Sequence, residues 1–501
     1  MNHNKVTFFT RGDPEIVPLI RSLLETIDLE VLSEEEVKSK IVDWAKHFQA
    51  SQYPAECGII FNFYSIQISI ADHINSVPIF LSRGTLYFDY CPRYERLDVW
   101  DREFIHSGYS TPGYAWDGKT VVSRPGDIFI IDQGKFERLG HKPFDFLSNE
   151  VWLKNRVTNE LNDYLPAALS AKYGGDTGPI YLSLSGGFDS RLVLYALVKA
   201  QLTDRVITFT YEYGLSSEVK VAEEVSSYFG VKHISLRPSD SKTAEVYQTL
   251  RDHMIKNKIS NAIPYHQGLA AMIDIAEMFG EGVFLTGNSG DFILGGRINP
   301  DSYGDGSKLR HDERLQRFTK KHFFRDYEEF ASECGKDTRS TINHLMYEEF
   351  LRRQSQYVIG LNRSARVFNI CVNNPLWDSK LVSLVSHAPL EEVEKRKICY
   401  FFCSEFGLPE LQHHNFLFNR RGVFSSVIKW VRRLVLIGLG FFVDRWKLDG
   451  LLFFHLYNPT GVTRFRTFRE RLAYVREVKN GQLNDSFFSV RDVKFDSQQD
   501  F

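Results

Sequence analysis

The sequence of 501 residues has few cysteines, no long apolar run and almost no net charge. Its six cysteines are scattered, which excludes a disulfide framework and is typical of proteins from a reducing compartment. No stretch approaches the ~18 uninterrupted apolar residues of a membrane span, and the first residues lack the basic and then apolar pattern of an export signal. These absences predict a cytoplasmic protein.

Charge and composition narrow the class further. Lys and Arg number 61 against 63 Asp and Glu, so the chain lacks the basic field of a nucleic-acid-binding protein, and we expect no nucleic-acid partner. Apolar residues make up 43% and charged residues 25%, which is typical of a globular protein. At ~100 to 200 residues per domain, the length predicts about two to four domains.

The local patterns change twice along the chain. Residues 55–133 contain short β-type runs separated by Gly, Asn, Asp and Pro, which predicts a sheet-rich first domain. From residue 149 apolar strands alternate with helical patterns, and this alternation predicts a parallel sheet. After residue 425 the composition becomes basic, then aromatic, then polar. The predicted parts are therefore 1–148, 149–425 and 426–501.

The most informative segment is a glycine turn between a strand and a helix. Residues Ser185 to Ser190, SGGFDS, follow the apolar run 179–184 and open the helical pattern 191–199. Such a turn directs backbone N–H groups and the positive end of a helix toward an anion, and the serines add hydroxyl donors. Asp189 suits this place as a ligand of Mg²⁺, which bridges carboxylate and phosphate oxygens. The alternative is a plain turn with an Asp-Ser cap.

A second segment repeats this character. The apolar run Phe284 to Thr286 leads into Gly287, Asn288 and the acid Asp291, with two more glycines close behind. The SGGFDS turn resembles the PP-loop of the N-type ATP pyrophosphatases. The second segment, TGNSGDFILGG, resembles its counterpart in the asparagine synthetase family. The sequence is thus similar to asparagine synthetase-like amide-forming ligases, and it looks most like those of bacterial surface-polysaccharide clusters.

The resemblance implies an α/β protein with two folded domains. Residues 1–148 are expected to form an Ntn-hydrolase-like αββα domain of the glutaminase type, because Ala71 to Phe80 and Phe104 to Phe144 resemble parts of that domain. Residues 149–425 are expected to form an adenine-nucleotide α-hydrolase-like, or PP-loop, domain around the parallel sheet. Residues 426–501 are expected to be a basic and aromatic extension.

The resemblance also implies the site residues and the reaction. It makes Asp189 and Asp291 the ligands of Mg²⁺, and it makes Arg420 the cation that neutralises adenylate and pyrophosphate. The implied reaction adenylates a carboxylate with ATP, releases pyrophosphate and transfers the acyl group to ammonia or an amine. ATP is expected to contact Ser183, Leu184, Ser185, Gly186, Gly187, Asp189, Ser190, Tyr211, Thr286 and Gly287.

Three positions depart from the family pattern. Asn2 stands where glutamine-hydrolysing members have the nucleophilic cysteine, so we predict that the first domain has no glutaminase activity. Asn288 replaces the glutamate that accepts a proton, and Phe292 replaces a second acid. Because an amide cannot accept a proton at neutral pH, either another acid substitutes or the nucleophile arrives neutral.

Several interpretations of the substrate are compatible with the sequence. The resemblance implies amidation of a uronic acid, linked to a nucleotide or a lipid, with nitrogen from ammonia or a separate donor. One alternative is a cyclising amide synthase similar to β-lactam synthetase or the lasso-peptide cyclases. Another is a degenerate protein retained as an ATP-binding scaffold, against which the retained Ser185, Asp189 and Asp291 argue.

A basic and apolar segment lies near the end of the sequence. Residues 427–446 place Lys429, Arg432, Arg433 and Arg445 around an apolar stretch. Such a segment suits peripheral contact with the inner face of a membrane, which would fit a lipid-linked substrate. A helix packed on the core with a solvated basic edge fits the same pattern and is preferred.

Overall fold

The computed structural model describes residues 6–12, 34–48, 56–63, 66–92, 109–140, 144, 154–211, 218–251, 253, 258–262, 268–294, 344 and 346–386. They form antiparallel sheets of five and three strands, a two-stranded pair, and a five-stranded parallel sheet. Asn2, Arg420, the boundaries at 148 and 425, and the segment 427–446 lie outside the described residues.

Two antiparallel sheets make up the first part of the chain. The first contains β1 (Val6–Gly12), β2 (Cys57–Phe63), β3 (Ile66–Ala71), β8 (Ile128–Asp132) and β9 (Lys135–Leu139), joined in the order β1-β2-β3-β8-β9. The second contains β4 (Ile79–Ser82), β5 (Thr85–Phe88) and β7 (Val121–Val122), with β4 in the middle. Helix α1 spans Glu34–His47.

The two antiparallel sheets pack face to face. Ile60 and Phe129 from the larger sheet share one buried cluster with Ile79 and Leu86 from the smaller sheet. Apolar side chains on facing strands close such a sandwich by burying both inner faces. Two packed sheets are part of the αββα arrangement expected for residues 1–148, and the glutaminase-like assignment itself stays a prediction.

The second part is built on the predicted parallel sheet, which is confirmed. Its strands are β10 (Ile180–Ser183), β11 (Val206–Tyr211), β12 (Lys232–Leu236), β14 (Val283–Thr286) and β15 (Cys371–Asn373). They pair in the order β12-β11-β10-β14-β15, and every pair is parallel. The central strand β10 is apolar and almost completely buried, as a strand covered on both faces must be.

Helices cover both faces of this sheet. Ile180 and Leu182 belong to one buried cluster and Tyr181 to another, because successive side chains of a strand point to opposite faces. The first cluster includes α2 (Lys154–Tyr173), α3 (Phe188–Lys199), α4 (Glu218–Tyr228) and α9 (Ser379–Ser386). The second includes α5 (Asp240–Arg251), α6 (Leu269–Phe279) and α8 (Gly360–Arg366). A short helical turn, α7 (Gly290–Ile293), and a π-helix, Phe350–Val358, complete the described elements around the site.

The sheet places the two glycine-rich segments side by side. Strands β10 and β14 are neighbours, and Ser183 at the end of β10 lies in register with Thr286 at the end of β14. The segments that follow therefore leave the same edge of the sheet. In open parallel sheets, ligands bind at this carboxyl edge.

The two parts of the chain are joined by backbone pairing and by buried polar contacts. Strand β6 (Cys91–Pro92) pairs with β13 (Lys258–Ile259). Asp89, 1% exposed, accepts two hydrogen bonds from the guanidinium of Arg366 at 2.6 and 3.3 Å. In the portion of the chain that the structure describes, no helix has the length and apolar character needed to cross a membrane.

Candidate active site

The loop after β10 is shaped by its own two serines. Ser190 Oγ accepts the Ser185 N–H at 3.1 Å, and Ser185 Oγ accepts the Gly187 N–H, also at 3.1 Å. These bonds close the loop over the first turn of α3. Gly187 caps this helix and has no side chain to bond its first N–H groups, so the positive end of the helix stays available to an anion.

Arg191 supports the same loop from the protein interior. Its side chain is fully buried, its Nη2 donates to the Gly186 carbonyl at 2.6 Å, and its guanidinium carbon lies 5.3 Å from the centre of the Phe188 ring. A charge-assisted hydrogen bond of this kind holds a backbone carbonyl firmly. Arg191 therefore fixes Gly186 rather than reaching a ligand.

The two predicted segments contact each other through glycines. A Cβ on Gly287 would lie 2.6 Å from the Ser190 nitrogen, and a Cβ on Gly290 would lie 2.4 Å from the carboxyl carbon of Asp189. No larger residue fits at either position without displacing the loop Ser185 to Ser190, which is the predicted phosphate loop. The contact brings Asp189 beside the residue that precedes Asp291, so the two predicted metal ligands leave adjacent backbone segments.

The pair of acids fits a magnesium site of the open kind. Among the described residues no group of three or more His, Cys, Asp or Glu side chains could hold a metal. Mg²⁺ commonly uses only one or two carboxylates and completes its shell with waters and substrate phosphates. Asp189 and Asp291, at the edge where phosphates are expected, match that donor set.

Thr286 connects the second segment to the end of β15. Its Oγ1 donates to Asn374 Oδ1 at 3.1 Å and accepts the Asn288 N–H at 3.3 Å. Thr286 is 3% exposed, so its hydroxyl acts within this network. The network sets the backbone of Asn288, the position where the family glutamate is missing.

Phe292 is a core residue and not part of the open site. It is fully buried, and its ring centre lies 5.8 Å from that of Trp377. An acid here would carry its charge into this aromatic cluster, which costs several kcal/mol unless the charge is paired. The replacement of the family acid is thus accommodated by packing.

Tyr211, Ser183 and Leu184 occupy different environments at the sheet edge. The Tyr211 ring lies against Gly268, where an added Cβ would be 2.6 Å from the ring. Gly268 precedes α6 with φ +78°, a conformation that favours glycine. Leu184 is 1% exposed and its N–H donates to the Phe209 carbonyl at 2.9 Å, whereas Ser183 is half-buried. Both backbone polar groups of Leu184 are thus engaged within the sheet, since its carbonyl accepts from Thr210 Oγ1, and its contact with a nucleotide stays a prediction.

A polar network from the π-helix reaches the second segment, and sequence reasoning missed it. Ser289, in the left-handed region at φ 66°, donates from Oγ to Gln354 Oε1 at 2.7 Å. Gln354 donates to Glu349 Oε1 at 3.1 Å, and Arg353 Nη1 approaches the same oxygen at 3.3 Å. A signal was available in part, because Glu349 and Arg353 are four residues apart, the spacing of helical ion pairs.

The guanidinium of Arg353 lies in the electrostatic field of Glu349 and Asp291. Burial lowers the pKa of its guanidinium, but the negative charges of Glu349 and Asp291 outweigh burial and hold the pKa above its ordinary value. The second segment therefore has a permanent positive charge close to Asp291. Such a charge is suited to phosphate oxygens.

Comparison with known families agrees with this geometry. Residues 161–397 match the family model described as asparagine synthase. This part of the chain is an asparagine synthase domain. The domain supports an ATP-dependent, amide-forming carbon–nitrogen ligase. No curated protein matches the chain.

Several solved structures show a partial likeness to the protein. They include the NH3-dependent NAD synthetase of Campylobacter jejuni subsp. jejuni (14% identity, TM-score 0.20, 28% of this chain and 60% of that chain). A glutamine-dependent NAD+ synthetase of Acinetobacter baumannii, in complex with ADP, has 16% identity and a TM-score of 0.21, over 52% of this chain and 62% of that chain. The matching regions thus cover less than two thirds of both neighbours, and with such TM-scores nothing further about this chain follows from them.

The asparagine synthase domain brings most of the predicted site residues to one edge. The loop Ser185 to Ser190, Asp291, and the pair Thr286 and Gly287 surround the carboxyl ends of β10 and β14. Tyr211 lies at the end of the neighbouring strand β11. Arg420, the predicted cation, lies outside the described residues, and the roles of all these residues stay predictions.

Proposed function

We propose that the protein adenylates a carboxylate with ATP and couples the acyl group to ammonia, and that the carboxylate is a uronic acid of a surface-polysaccharide precursor. The contact of Gly290 with Asp189 carries this proposal, because it joins the phosphate loop to the segment of the second acid. The uronic acid rests on the sequence resemblance alone. The polysaccharide precursor is linked to a nucleotide or a lipid.

The phosphate loop binds and orients ATP in this proposal. The N–H groups at the start of α3, which have no side-chain cap, point toward the phosphates, and the Ser185–Ser190 bonds hold the loop in the shape that leaves this helix end open. Orientation sets the α-phosphorus in line with the substrate carboxylate. A carboxylate oxygen of the substrate forms a bond to the α-phosphorus, and the bond between the α-phosphorus and pyrophosphate breaks.

The charge that develops on pyrophosphate requires cations. Asp189 and Asp291 would hold Mg²⁺, which neutralises phosphate oxygens and improves the leaving group. Arg353, held by Glu349 at 3.3 Å, adds a fixed guanidinium beside Asp291. Arg420 supplies a further positive charge. Preorganised charges of this kind are commonly the largest catalytic contribution.

The second half-reaction transfers the acyl group to nitrogen. Ammonia attacks the acyl carbon of the adenylate, and AMP leaves with the bonding electron pair. Because Asn288 cannot accept a proton at neutral pH, we propose that the nitrogen enters as neutral ammonia, and its surplus proton leaves to solvent after attack. With Asn2 in place of cysteine, glutamine is not hydrolysed by this chain.

The test measures pyrophosphate release with ATP and Mg²⁺, in the presence of ammonium or glutamine and a panel of nucleotide-linked and lipid-linked uronic acids. We expect release that needs a uronic acid and ammonium, ignores glutamine, and falls about 10² to 10³-fold in Asp189→Asn. Asp204→Asn, which changes an exposed acid away from the site, is the matched control.

Two outcomes contradict the proposal: pyrophosphate release that glutamine supports, and no release with any uronic acid of the panel. ATP binding without any turnover favours a scaffold, and turnover on a substrate that carries its own amine favours a cyclase.

A further inference from the structure

A carboxylate of the first part of the chain is buried against the asparagine synthase domain. Glu56 directly precedes β2 and is 7% exposed. Its Oε1 accepts the Asn374 backbone N–H at 2.8 Å. Its Oε2 accepts the Nδ2 groups of Asn362 at 2.8 Å and of Asn374 at 3.1 Å. All three donors belong to the domain that carries the candidate site.

Glu56 determines how the Asn374 side chain is oriented. Asn374 Nδ2 donates one hydrogen bond to Glu56 and another to Asn362 Oδ1 at 3.0 Å, so both of its amide hydrogens are used. The carbonyl end of the amide therefore faces Thr286, whose hydroxyl donates to it at 3.1 Å. Without an acceptor at position 56, the amide can rotate and present its NH₂ group to Thr286 instead.

The orientation of Asn374 is transmitted to the second segment. Thr286 donates to Asn374 and accepts the Asn288 N–H at 3.3 Å, so a rotation of the Thr286 O–H away from Asn374 changes the geometry at the oxygen that holds Asn288. A Thr286 hydroxyl that had to accept from Asn374 would lose this arrangement. Two hydrogen bonds thus separate Glu56 from Thr286, and a third reaches the backbone of Asn288, next to Gly287.

Attachment of the two parts does not by itself call for Glu56. The Asp89–Arg366 ion pair joins the same parts, and neither residue has a hydrogen bond to residues 286–291 among those that the structure describes. A buried carboxylate is expensive to keep, and burial raises the pKa of Glu56 against the attraction of Lys172 and the Asn374 N–H. A buried carboxylate at that cost, bonded to the same Asn374 amide that accepts from Thr286, points to a role in the second segment.

We propose that Glu56 is a positioning residue of the ligase site, which holds Thr286 and Asn288 in the ATP-binding arrangement through the amide of Asn374. The first part of the chain is then needed for ATP binding even though Asn2 leaves it without a glutaminase nucleophile. The inference rests on the proposed function only in taking residues 286–291 as part of the ATP site.

The test uses the full chain and two readouts that need no carboxylate substrate. Hydrogen exchange reports the protection of amides in a peptide that covers residues 284–292, and calorimetry reports the affinity for ATP with Mg²⁺. In Glu56→Gln one of the two accepting oxygens becomes an NH₂ group, so at least one of the three donors loses its acceptor, and the charge that strengthens all three hydrogen bonds is removed. We expect faster exchange in this peptide and about tenfold weaker ATP binding, with the protein still folded.

The matched control is Asp89→Asn, or Arg366→Lys where the first does not fold. It weakens the same interface, and we expect a lower Tm with unchanged exchange at 284–292 and unchanged ATP affinity. Glu56→Asp, which withdraws the charge by one methylene, replaces Glu56→Gln if the latter does not fold. Thr286→Val removes the hydroxyl that links Asn374 to Asn288. In that background Glu56→Gln should therefore cause little further change in exchange or in ATP affinity.

The outcomes separate the two proposals. If Glu56→Gln and Asp89→Asn lower Tm alike and leave exchange and ATP affinity at the wild-type values, Glu56 is only an interface residue and the inference is wrong. Equal losses from Glu56→Gln in the wild-type and Thr286→Val backgrounds also overturn it. Failure to find a uronic acid substrate refutes the proposed function and leaves both readouts for Glu56 intact.

Discussion

Gly290 lies so close to Asp189 that a Cβ at position 290 would come within 2.4 Å of the Asp189 carboxyl carbon. The contact joins two segments that are about a hundred residues apart in the sequence. Both follow strands that end at the same edge of the parallel sheet. Space at Gly290 therefore controls where the Asp189 carboxylate can lie. The candidate site depends on the absence of a side chain as much as on the presence of two acids.

Gly290→Ala tests this dependence. The added methyl group must displace Asp189, because the nearest atoms include the Cβ of that side chain as well as its carboxyl group. Overpacking of this kind commonly costs about 1–3 kcal/mol, and the shift of Asp189 should weaken ATP binding in the presence of Mg²⁺. Calorimetric titration and Tm measure the two effects. Gly175→Ala is the control, since a Cβ there meets nothing within 4 Å, and equal behaviour of the two variants would contradict the argument.

The parts of the site that are local in sequence were predictable, and the parts that depend on distant contacts were not. SGGFDS and the segment from Thr286 to Asp291 each combine a strand end, glycines and an acid, so each indicates a phosphate or metal site on its own. The parallel sheet followed from the alternation of strands and helices. Periodicity does not show which loops meet, and the Gly290–Asp189 contact came only with the fold.

The limit of prediction from sequence is clearer for three residues that reach the site from distant positions: Glu56, Gln354 and Arg353. Glu56 reaches Asn374 from 318 residues away, and Gln354 reaches Ser289 from 65 residues away. No motif surrounds any of the three, and the π-helix that presents Arg353 and Gln354 has no simple sequence pattern. The sequence identifies Phe292 only as the replacement of a family acid, whereas the fold shows that its ring is buried against Trp377 as part of the core.

Arg353→Gln should weaken the binding of ATP and of pyrophosphate without unfolding the protein. The variant removes the positive charge beside Asp291 but leaves a polar side chain at a partly exposed position. Loss of one such charged contact is commonly worth about tenfold in affinity. Calorimetry with ATP and with pyrophosphate gives the result.

The neighbouring Arg352→Gln provides the contrast. Arg352 is 4% exposed and donates to Glu348 Oε2 at 2.7 Å, so its loss leaves a buried carboxylate without this partner. We expect a lower Tm with nearly unchanged ligand affinity. If Arg352→Gln weakens pyrophosphate binding as much as Arg353→Gln does, the charge of Arg353 has no special relation to the phosphates.

His233 should make the protein less stable in mild acid. Burial lowers the pKa of its imidazole below the ordinary 6.5, against the weaker effect of Glu223, and Nδ1 lies 2.9 Å from Thr208 Oγ1. Because the folded pKa is lower than the unfolded pKa, the unfolded chain binds the proton first. This contribution to stability is present above pH 6.5 and is lost as the pH falls through the folded pKa, with a slope of at most about 1.4 kcal/mol per pH unit.

Urea unfolding between pH 8 and pH 5 measures this slope. His233→Gln should reduce the overall stability through lost packing but flatten the pH dependence in that interval. His47→Gln, which changes an exposed histidine on α1, should leave the wild-type slope in place. A slope that persists in His233→Gln would assign the acid sensitivity to other groups.

Removal of Mg²⁺ should weaken ATP binding much more in the wild type than in Asp291→Asn. The argument is electrostatic: Asp189 and Asp291 place negative charge beside the loop where the phosphates are expected, so ATP without a cation is repelled, and Mg²⁺ converts that repulsion into a bridge. The substitution replaces a carboxylate with a neutral amide, which removes one charge and one strong ligand. ATP alone should then bind Asp291→Asn at least as well as the wild type, while the gain on adding Mg²⁺ should shrink by about tenfold or more. Titrations of the wild type and of Asp291→Asn with ATP, each in EDTA and in excess Mg²⁺, give the four affinities that are compared. Asp204→Asn should show the two affinities of the wild type. If the gain from Mg²⁺ were the same in Asp291→Asn as in the wild type, Asp291 would not be a metal ligand, and the carboxylate that bridges to the phosphates would have to be Asp189 alone.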